Sequence, residues 1–294
     1  MDEREWLAQR FQEHQPRLRA LAYRMLGSTS QADDALQEAW IRLSRSNASQ
    51  IDNLQAWLLS VVGRVALNML RSRKTRGEEP LEAHLPDPIV DRAEGIDPEH
   101  EALLSDSVGL ALLVVLEELT PAERLAYVLH DMFSVPFEQI GAILERSPEA
   151  ARQLASRGRR RIRGAHTTPD ADAAAQQEVV DAFLAAARDG EFEALLAVLD
   201  PDIVERVDTG SGTIVEVRGA QNVARRALAA ASQLGLVGRV ALINGAAGWV
   251  SVLDGELFAI AALTVHSGRI TRMDILLDPA RLARLDITDF VSRL

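Results

Sequence analysis

Six arginines and no acid lie between Arg152 and Arg163, and their placement decides what they can do. At 3.6 residues per turn, Ala151, Leu154, Ala155, Gly158 and Ile162 share one helical face. Glu149, Arg152, Gln153, Ser156, Arg157 and Arg160 share the opposite one. Upstream, Phe137, Ile140, Ile143 and Leu144 form the inner face of a shorter helix. Glu145-Arg146 then turns the chain, and Ser147-Pro148 supplies an N-cap serine followed by proline. Small inner residues let two such helices cross closely, as in a helix-turn-helix, whose second helix lies in the major groove of duplex DNA. Arginine, glutamine and serine near its start suit base edges, and the 159–163 cluster suits phosphate clamping. A solvated basic helix end is the alternative.

A second basic stretch, residues 64–76, holds four arginines and Lys74, again without an acid. Trp57, Ser60, Arg64, Asn68 and Arg71 recur at spacings of three and four, opposite Leu54, Leu58, Val61, Val62 and Val65, and Arg73 and Lys74 extend the positive run. Such a face offers cations for a single-stranded backbone and flat or polar groups for exposed bases. Read alone, a tryptophan beside an apolar stripe such as Trp57 is more often core. Before it, Ala32, Leu36, Ala39, Trp40 and Leu43 point inward by helical spacing, which leaves Asp33, Asp34, Gln37 and Glu38 together outside; alone, these four read as a solvated face.

Other chemistry is thinly represented. The chain has no cysteine, which excludes disulfides, thiolate nucleophiles and cysteine-ligated metals, and its six histidines form no HxxxH or HxH pair. We expect no metal, no cofactor and no catalytic residue. Asp208, His266 and Asp274 are the set to inspect for an acid and histidine pocket, although strand parity does not clearly unite them.

The elements that must position these residues fall into blocks. Residues 1–76 read as three helices broken at Gly27-Ser28-Thr29-Ser30 and Ser46-Asn47-Ala48-Ser49. Residues 77–99, with four prolines and many acids, read as an extended linker. Residues 100–165 form a second helical module, in which Thr120-Pro121-Ala122-Glu123 is a capping box. After a second linker the period changes over residues 174–285. Helices at 174–188 and 219–231 mix with β-rich runs at 203–207, 214–218, 239–243, 249–253, 257–265 and 270–277. Asn244-Gly245, Asp254-Gly255 and Ser267-Gly268 mark hairpins of an antiparallel meander, so this block is α+β. Residues 286–294 are a tail.

A net charge of −11 looks wrong for a DNA binder, yet the cations are concentrated in two patches, which points to two separate DNA contacts. The longest apolar run, 108–116, is about half the length of a membrane span, and the acidic start is unlike a secretory signal. We expect a cytoplasmic protein with no membrane contact.

Asp33-Asp34-Ala35-Leu36-Gln37-Glu38-Ala39-Trp40 resembles the second conserved region of sigma factors. Ala56-Trp57-Leu58, Val61-Val62 and Arg64, followed by Asn68 and Arg71, look like the sigma segment that captures the minus-10 element. With the helix-turn-helix at the far end, residues 11–163 are similar to extracytoplasmic-function (ECF) sigma factors. Ser147-Pro148-Glu149-Ala150-Ala151-Arg152-Gln153-Leu154-Ala155-Ser156-Arg157 matches the subgroup that carries a fused SnoaL-like domain, whose α+β fold agrees with residues 174–285. The resemblance implies that Asp33, Asp34, Gln37 and Glu38 bind core RNA polymerase. It gives the minus-10 element to Trp57, Ser60, Arg64, Asn68, Arg71, Arg73 and Lys74. The minus-35 element falls to Ser147, Glu149, Ala150, Arg152, Gln153, Ser156, Arg157 and Arg160.

Leu85-Pro86-Asp87-Pro88-Ile89 matches the subgroup's linker signature, while Glu82-Ala83-His84 replaces the aromatic residues that precede it there. Composition alone leaves a plain spacer equally open. Asp208-Thr209-Gly210-Ser211-Gly212 and Asp278-Pro279-Ala280-Arg281-Leu282 match two loops of the fused domain in part, and the glycines also suit a strand-connecting loop. The resemblance implies that Leu85, Pro86, Asp87, Pro88, Asp208, Gly210, Gly212, Asp278 and Pro279 mediate regulation in cis, without a separate anti-sigma protein and with a small-molecule ligand as an open possibility. The competing readings are a ligand-responsive helix-turn-helix regulator and a SnoaL-like isomerase or hydrolase with a DNA-binding appendage.

Overall fold

The computed structural model describes residues 3–46, 51–76, 84–92, 109–163, 170, 172–234 and 237–285. The chain divides into two compact units. One comprises Met1–Pro80, Glu101–Asp106 and Val115–His166; the other comprises Leu81–His100, Ser107–Val114 and Thr167–Leu294.

The first unit is helical. Helices α1 (Glu3–Leu26), α2 (Thr29–Arg45) and α3 (Leu54–Arg76) follow the apolar periodicity, and Gly27 makes the first turn at φ 69°. Ala32, Ala35, Leu36, Ala39 and Leu43 are buried along α2, and the Phe11 and Trp40 rings meet at 5.3 Å. Helix α4 (Leu110–Glu117) is divided, with Leu110–Val114 assigned to the second unit, and the first unit continues with α5 (Pro121–Tyr127) and a π-helical turn at Val128–Met132, α6 (Phe137–Leu144) and α7 (Pro148–Arg163). The capping box at α5 is present: the Thr120 hydroxyl accepts from the Glu123 amide, and the Glu123 carboxylate accepts from the Thr120 amide.

The two helical groups share an interior. A Cβ at Gly63 of α3 would lie 3.3 Å from Leu125 and 3.5 Å from Leu129, so glycine permits that close approach. Arg24 and Arg124 are both buried there, and Arg124 Nε donates to the Arg24 carbonyl at 3.0 Å. The Arg24 and Arg17 guanidinium groups lie 5.2 and 5.8 Å from the Phe133 ring centroid, and Arg17 also donates to the Phe133 carbonyl.

The second unit is α+β, as its sequence pattern indicates. Helices α8 (Ala173–Asp189), α9 (Phe192–Val198) and α10 (Ala220–Leu234) accompany β2 (Leu199–Asp208), β3 (Ile214–Arg218), β4 (Val237–Ile243), β5 (Ala246–Leu253), β6 (Glu256–His266) and β7 (Arg269–Leu276). A short α11 (Pro279–Leu282) follows. Val180, Phe183, Leu195, Ile203, Val223, Trp249 and Leu263 form the core between helices and sheet. Strands β4 to β7 are the expected meander. Each hairpin turns through two residues of positive φ: Asn244 and Gly245, Asp254 and Gly255, Ser267 and Gly268.

Two features differ from the sequence expectation. Strand β2 pairs in parallel with β7, an arrangement that alternating periodicity does not reveal. The linker is also more than a spacer, because Val90–Arg92 forms β1, which pairs antiparallel with Ala241–Ile243 of β4 at the sheet edge. Three residues beside a proline-rich acidic stretch carry too little pattern to read as a strand. Among the described residues, no helix is long and apolar enough to cross a membrane.

Candidate nucleic-acid interface

The turn before α7 is built tightly. Glu145 closes α6 in the left-handed region (φ 57°), and a Cβ at Gly141 would come within 2.7 Å of the Arg146 carbonyl oxygen. The Ser147 hydroxyl accepts from the Ala150 amide at 3.2 Å, as an N-cap should. Gly158 lets α7 approach α5, since its Cβ would lie 3.2 Å from Tyr127. This packing buries Ala151, Leu154, Ala155 and Gly158 and leaves Ser147, Glu149, Arg152, Gln153, Ser156, Arg157 and Arg160 exposed, with Ala150 half-buried. The periodic face and the structural face therefore coincide.

Local contacts sort the arginines. The Arg152 guanidinium lies 5.2 Å from the Phe137 ring, which stacks on His130 at 3.8 Å, so its direction is set. Backbone and Ser147 hydrogen bonds hold the Glu149 carboxyl below its ordinary range, with Arg152 adding to the effect. Arg159 departs from the phosphate-clamp expectation, because it forms a two-pronged pair with Asp131 at 2.7 and 3.0 Å, which raises its pKa. Arg161 reaches the Glu118 carbonyl and Glu123 instead.

On α3, Arg64, Asn68 and Arg71 are exposed, while Trp57, Ser60 and Arg73 are half-buried. The Ser60 hydroxyl donates to the Ala56 carbonyl, and the Lys74 side chain lies outside the described residues. On α2, Asp33, Asp34 and Gln37 are exposed and Glu38 is partly so. Arg19 holds Asp33 at 2.7 Å, and Arg42 holds Glu38 at 2.8 Å. Asp34, Glu38, Asn68 and Arg73 line one groove of about 440 Å³ between α2 and α3, so the acidic set and part of the basic set are neighbours.

In the second unit, linker residues and two loops meet at Asp208, which is fully buried. Its Oδ2 accepts from the Leu85 amide at 2.9 Å and from Arg281 Nη1 at 2.7 Å, and its Oδ1 accepts from the Gly210 amide. Arg281 Nη2 donates to the Leu85 carbonyl at 2.6 Å and to Asp87 at 2.7 Å. Asp278 caps α11 through the Ala280 and Arg281 amides, which aims that arginine. Gly210, at φ 76°, has no room for a Cβ, which would fall 2.6 Å from Asp278 Cγ. Pro86 and Pro88 are buried, and Gly212 sits at φ 77° in the β2–β3 loop. Asn244 adds a second clasp, as its side chain accepts from the Ile89 amide and its own amide donates to the Ile89 carbonyl. The expected linker and loop residues thus converge, but Pro279 serves only as the first residue of α11. Arg281 and Asn244 were the members that sequence reasoning missed.

The acid and histidine set does not converge. Asp208 is held by Arg281, Asp274 by Arg272 at 2.8 Å, and His266 lies 3.7 Å from Asp170. Among the described residues, no three acids or histidines are grouped to hold a metal.

Comparison with known proteins supplies the family context. Residues 10–76 match the model of Sigma-70 region 2, and residues 109–162 match Sigma-70, region 4. A probable ECF RNA polymerase sigma factor SigI of Mycobacterium tuberculosis is 34% identical over 272 residues, 92% of each chain. The ECF RNA polymerase sigma factor SigJ of the same species is 35% identical over 269 residues, 86% of each chain. The crystal structure of that species' SigJ aligns with a TM-score of 0.76 at 30% identity, covering 98% of this chain and all of that one.

Proposed function

The chain belongs to the family of ECF RNA polymerase sigma factors, and we propose that it binds core RNA polymerase, directs it to promoters, and is regulated in cis by its α+β domain. The observation that carries this reading is the outward face of α7, where a tight helix-turn-helix exposes Arg152, Gln153, Ser156, Arg157 and Arg160 together. These residues, with Ser147, Glu149 and Ala150, read the minus-35 element. Trp57, Ser60, Arg64, Asn68, Arg71, Arg73 and Lys74 read the minus-10 element. Asp33, Asp34, Gln37 and Glu38 dock on polymerase. The working domains are 1–76, 100–165 and 174–285. The protein acts in the cytoplasm, without covalent chemistry and without a separate anti-sigma protein.

Promoter elements centred on minus-10 and minus-35 are about 25 base pairs apart, about 85 Å along the duplex. Arg71 of α3 and Arg157 of α7 line a single cleft, so this form cannot serve both elements at once. The first unit must open before it can span a promoter. The Asp208, Arg281 and Asp87 cluster holds residues 84–92 on the α+β sheet, and through that tether the fused domain controls how far the linker can extend.

Run-off transcription with purified core polymerase tests this reading. The full chain should yield promoter-specific transcripts that Arg152→Ala weakens, and Asp208→Ala should change their amount without changing the start site. Sequence-specific operator binding by the chain alone, with no transcript when polymerase is added, would overturn it in favour of a conventional regulator.

A further inference from the structure

The cleft between α3 and the helix-turn-helix has a composition that promoter reading does not require. Its volume is about 580 Å³, and Arg71, Arg146 and Arg157 line it together with Thr120, Pro121, Ala122, Glu123 and Leu154. The three guanidinium groups come from three segments: the end of α3, the α6–α7 turn and the middle of α7. Glu123 is the one carboxylate among these residues, and its charge is already shared. It accepts from the Thr120 amide and hydroxyl, Arg161 lies at 3.4 Å, and Arg157 lies at 3.7 Å. The lining residues therefore carry three guanidinium groups to one carboxylate, with Pro121, Ala122 and Leu154 as the apolar members.

Guanidinium groups match phosphate oxygens in forked geometry, and several of them around a shared volume favour a short chain of phosphates over a single ion. We propose that this cleft binds a polyphosphate group, carried by a nucleotide or as an inorganic chain, and that the bound anion clamps the closed form of the first unit. Binding would occupy Arg71 and Arg157 together, so promoter DNA and the polyphosphate exclude each other. That consequence rests on the sigma factor reading; the binding itself does not.

The test uses the full chain with sodium tripolyphosphate as the probe, followed by calorimetry, with ATP in a parallel titration. We expect one saturable site. Arg146→Ala, an exposed turn residue outside the promoter-reading set, should weaken it about tenfold, the loss typical of one charge-assisted pair. Arg163→Ala, on the same helix but outside the cleft, should leave it unchanged. Equal affinity for ATP and tripolyphosphate would mean that the phosphate chain alone is recognised, and tighter ATP binding would identify a nucleotide as the source. Absence of saturation, or equal losses in Arg146→Ala and Arg163→Ala, would show diffuse electrostatic attraction and overturn the site. In run-off assays tripolyphosphate should reduce transcription by the wild type more than by Arg146→Ala. Failure of all transcription alongside intact calorimetric binding would count against the sigma factor reading and not against the cleft.

Discussion

The arginines on the outer face of α7 and those inside the protein place the same guanidinium group in opposite surroundings. Arg152, Arg157 and Arg160 are solvent-exposed, where their charge is cheap to maintain, although Arg152 lies over the Phe137 ring and Arg157 is 3.7 Å from Glu123. Arg124 is 1% exposed, and loss of solvation lowers its pKa to about 10, with Glu117 opposing that shift and Arg73 adding to it. The shift corresponds to a penalty of roughly 3 kcal/mol on the charged form. Arg281 is a third case: partly buried, it is matched by Asp208 and Asp87. Partner supply, more than burial alone, separates an interior arginine that strains its surroundings from one that fastens them. Arg124 therefore bears the desolvation of its charge largely without a carboxylate on it, whereas Arg281 faces two carboxylates at 2.7 Å.

Breaking the matched cluster should have the largest effect. Arg281→Ala leaves Asp208 buried without its guanidinium partner, with only the Leu85 and Gly210 amides and His84 Nδ1 at 3.5 Å remaining, and a loss of about 3 to 5 kcal/mol in the α+β unit is expected. Hydrogen exchange would show residues 84–92 losing protection while α7 keeps its own. Uniform loss across both units would mean that Arg281 stabilises the whole chain and is not a local clasp. Arg124→Ala comes next. It leaves a cavity and removes the hydrogen bond to the Arg24 carbonyl, offset in part by relief of the buried charge, for a net loss of about 2 to 4 kcal/mol. Arg160→Ala on the exposed face should change stability by less than about 0.5 kcal/mol. Similar urea midpoints for the Arg124→Ala and Arg160→Ala variants would erase the contrast.

On the exposed face the loss appears in recognition. Arg152→Ala should weaken minus-35 recognition by about 1 to 3 kcal/mol if its fork meets a base, with stability unchanged. Footprinting with polymerase on promoters altered at that element would check it, and an unaltered base preference would remove Arg152 from the reading set.

These differences were unequally legible beforehand. The outer face of α7 could be read directly, because a 3.6-residue period and a small-residue seam at Ala151, Ala155 and Gly158 leave only one way for the helix to pack. Arg24 and Arg124 could not, because a helical arginine ordinarily marks solvent, and their burial arises from two helical groups one hundred residues apart closing on each other. Arg281 stood within a recognisable loop segment, but its role depends on Leu85, 196 residues away in the chain. The hairpins were legible through their turn dipeptides. The parallel β2–β7 pairing and the linker strand depend on long-range partners that local pattern does not encode.

Glu205 provides the smallest and sharpest test of the partner argument. It is a buried acid on β2 whose Oε2 accepts from Arg226 Nε at 2.8 Å, yet the arginine side chain is 47% exposed. Burial raises the Glu205 pKa more than Arg226 lowers it, so one solvent-facing partner undercompensates the loss of hydration. Because the folded pKa lies above the unfolded one, the contribution of Glu205 to stability is fully present below the unfolded value and is lost as pH rises through the folded value. Glu205→Gln removes that titration. The stability of the wild type minus that of Glu205→Gln should therefore fall as pH rises from the ordinary glutamate range through the raised folded value. A difference that grows with pH over this interval would show that the single arginine outweighs burial, and the ranking of Arg281 over Arg124 by number of partners would lose its basis.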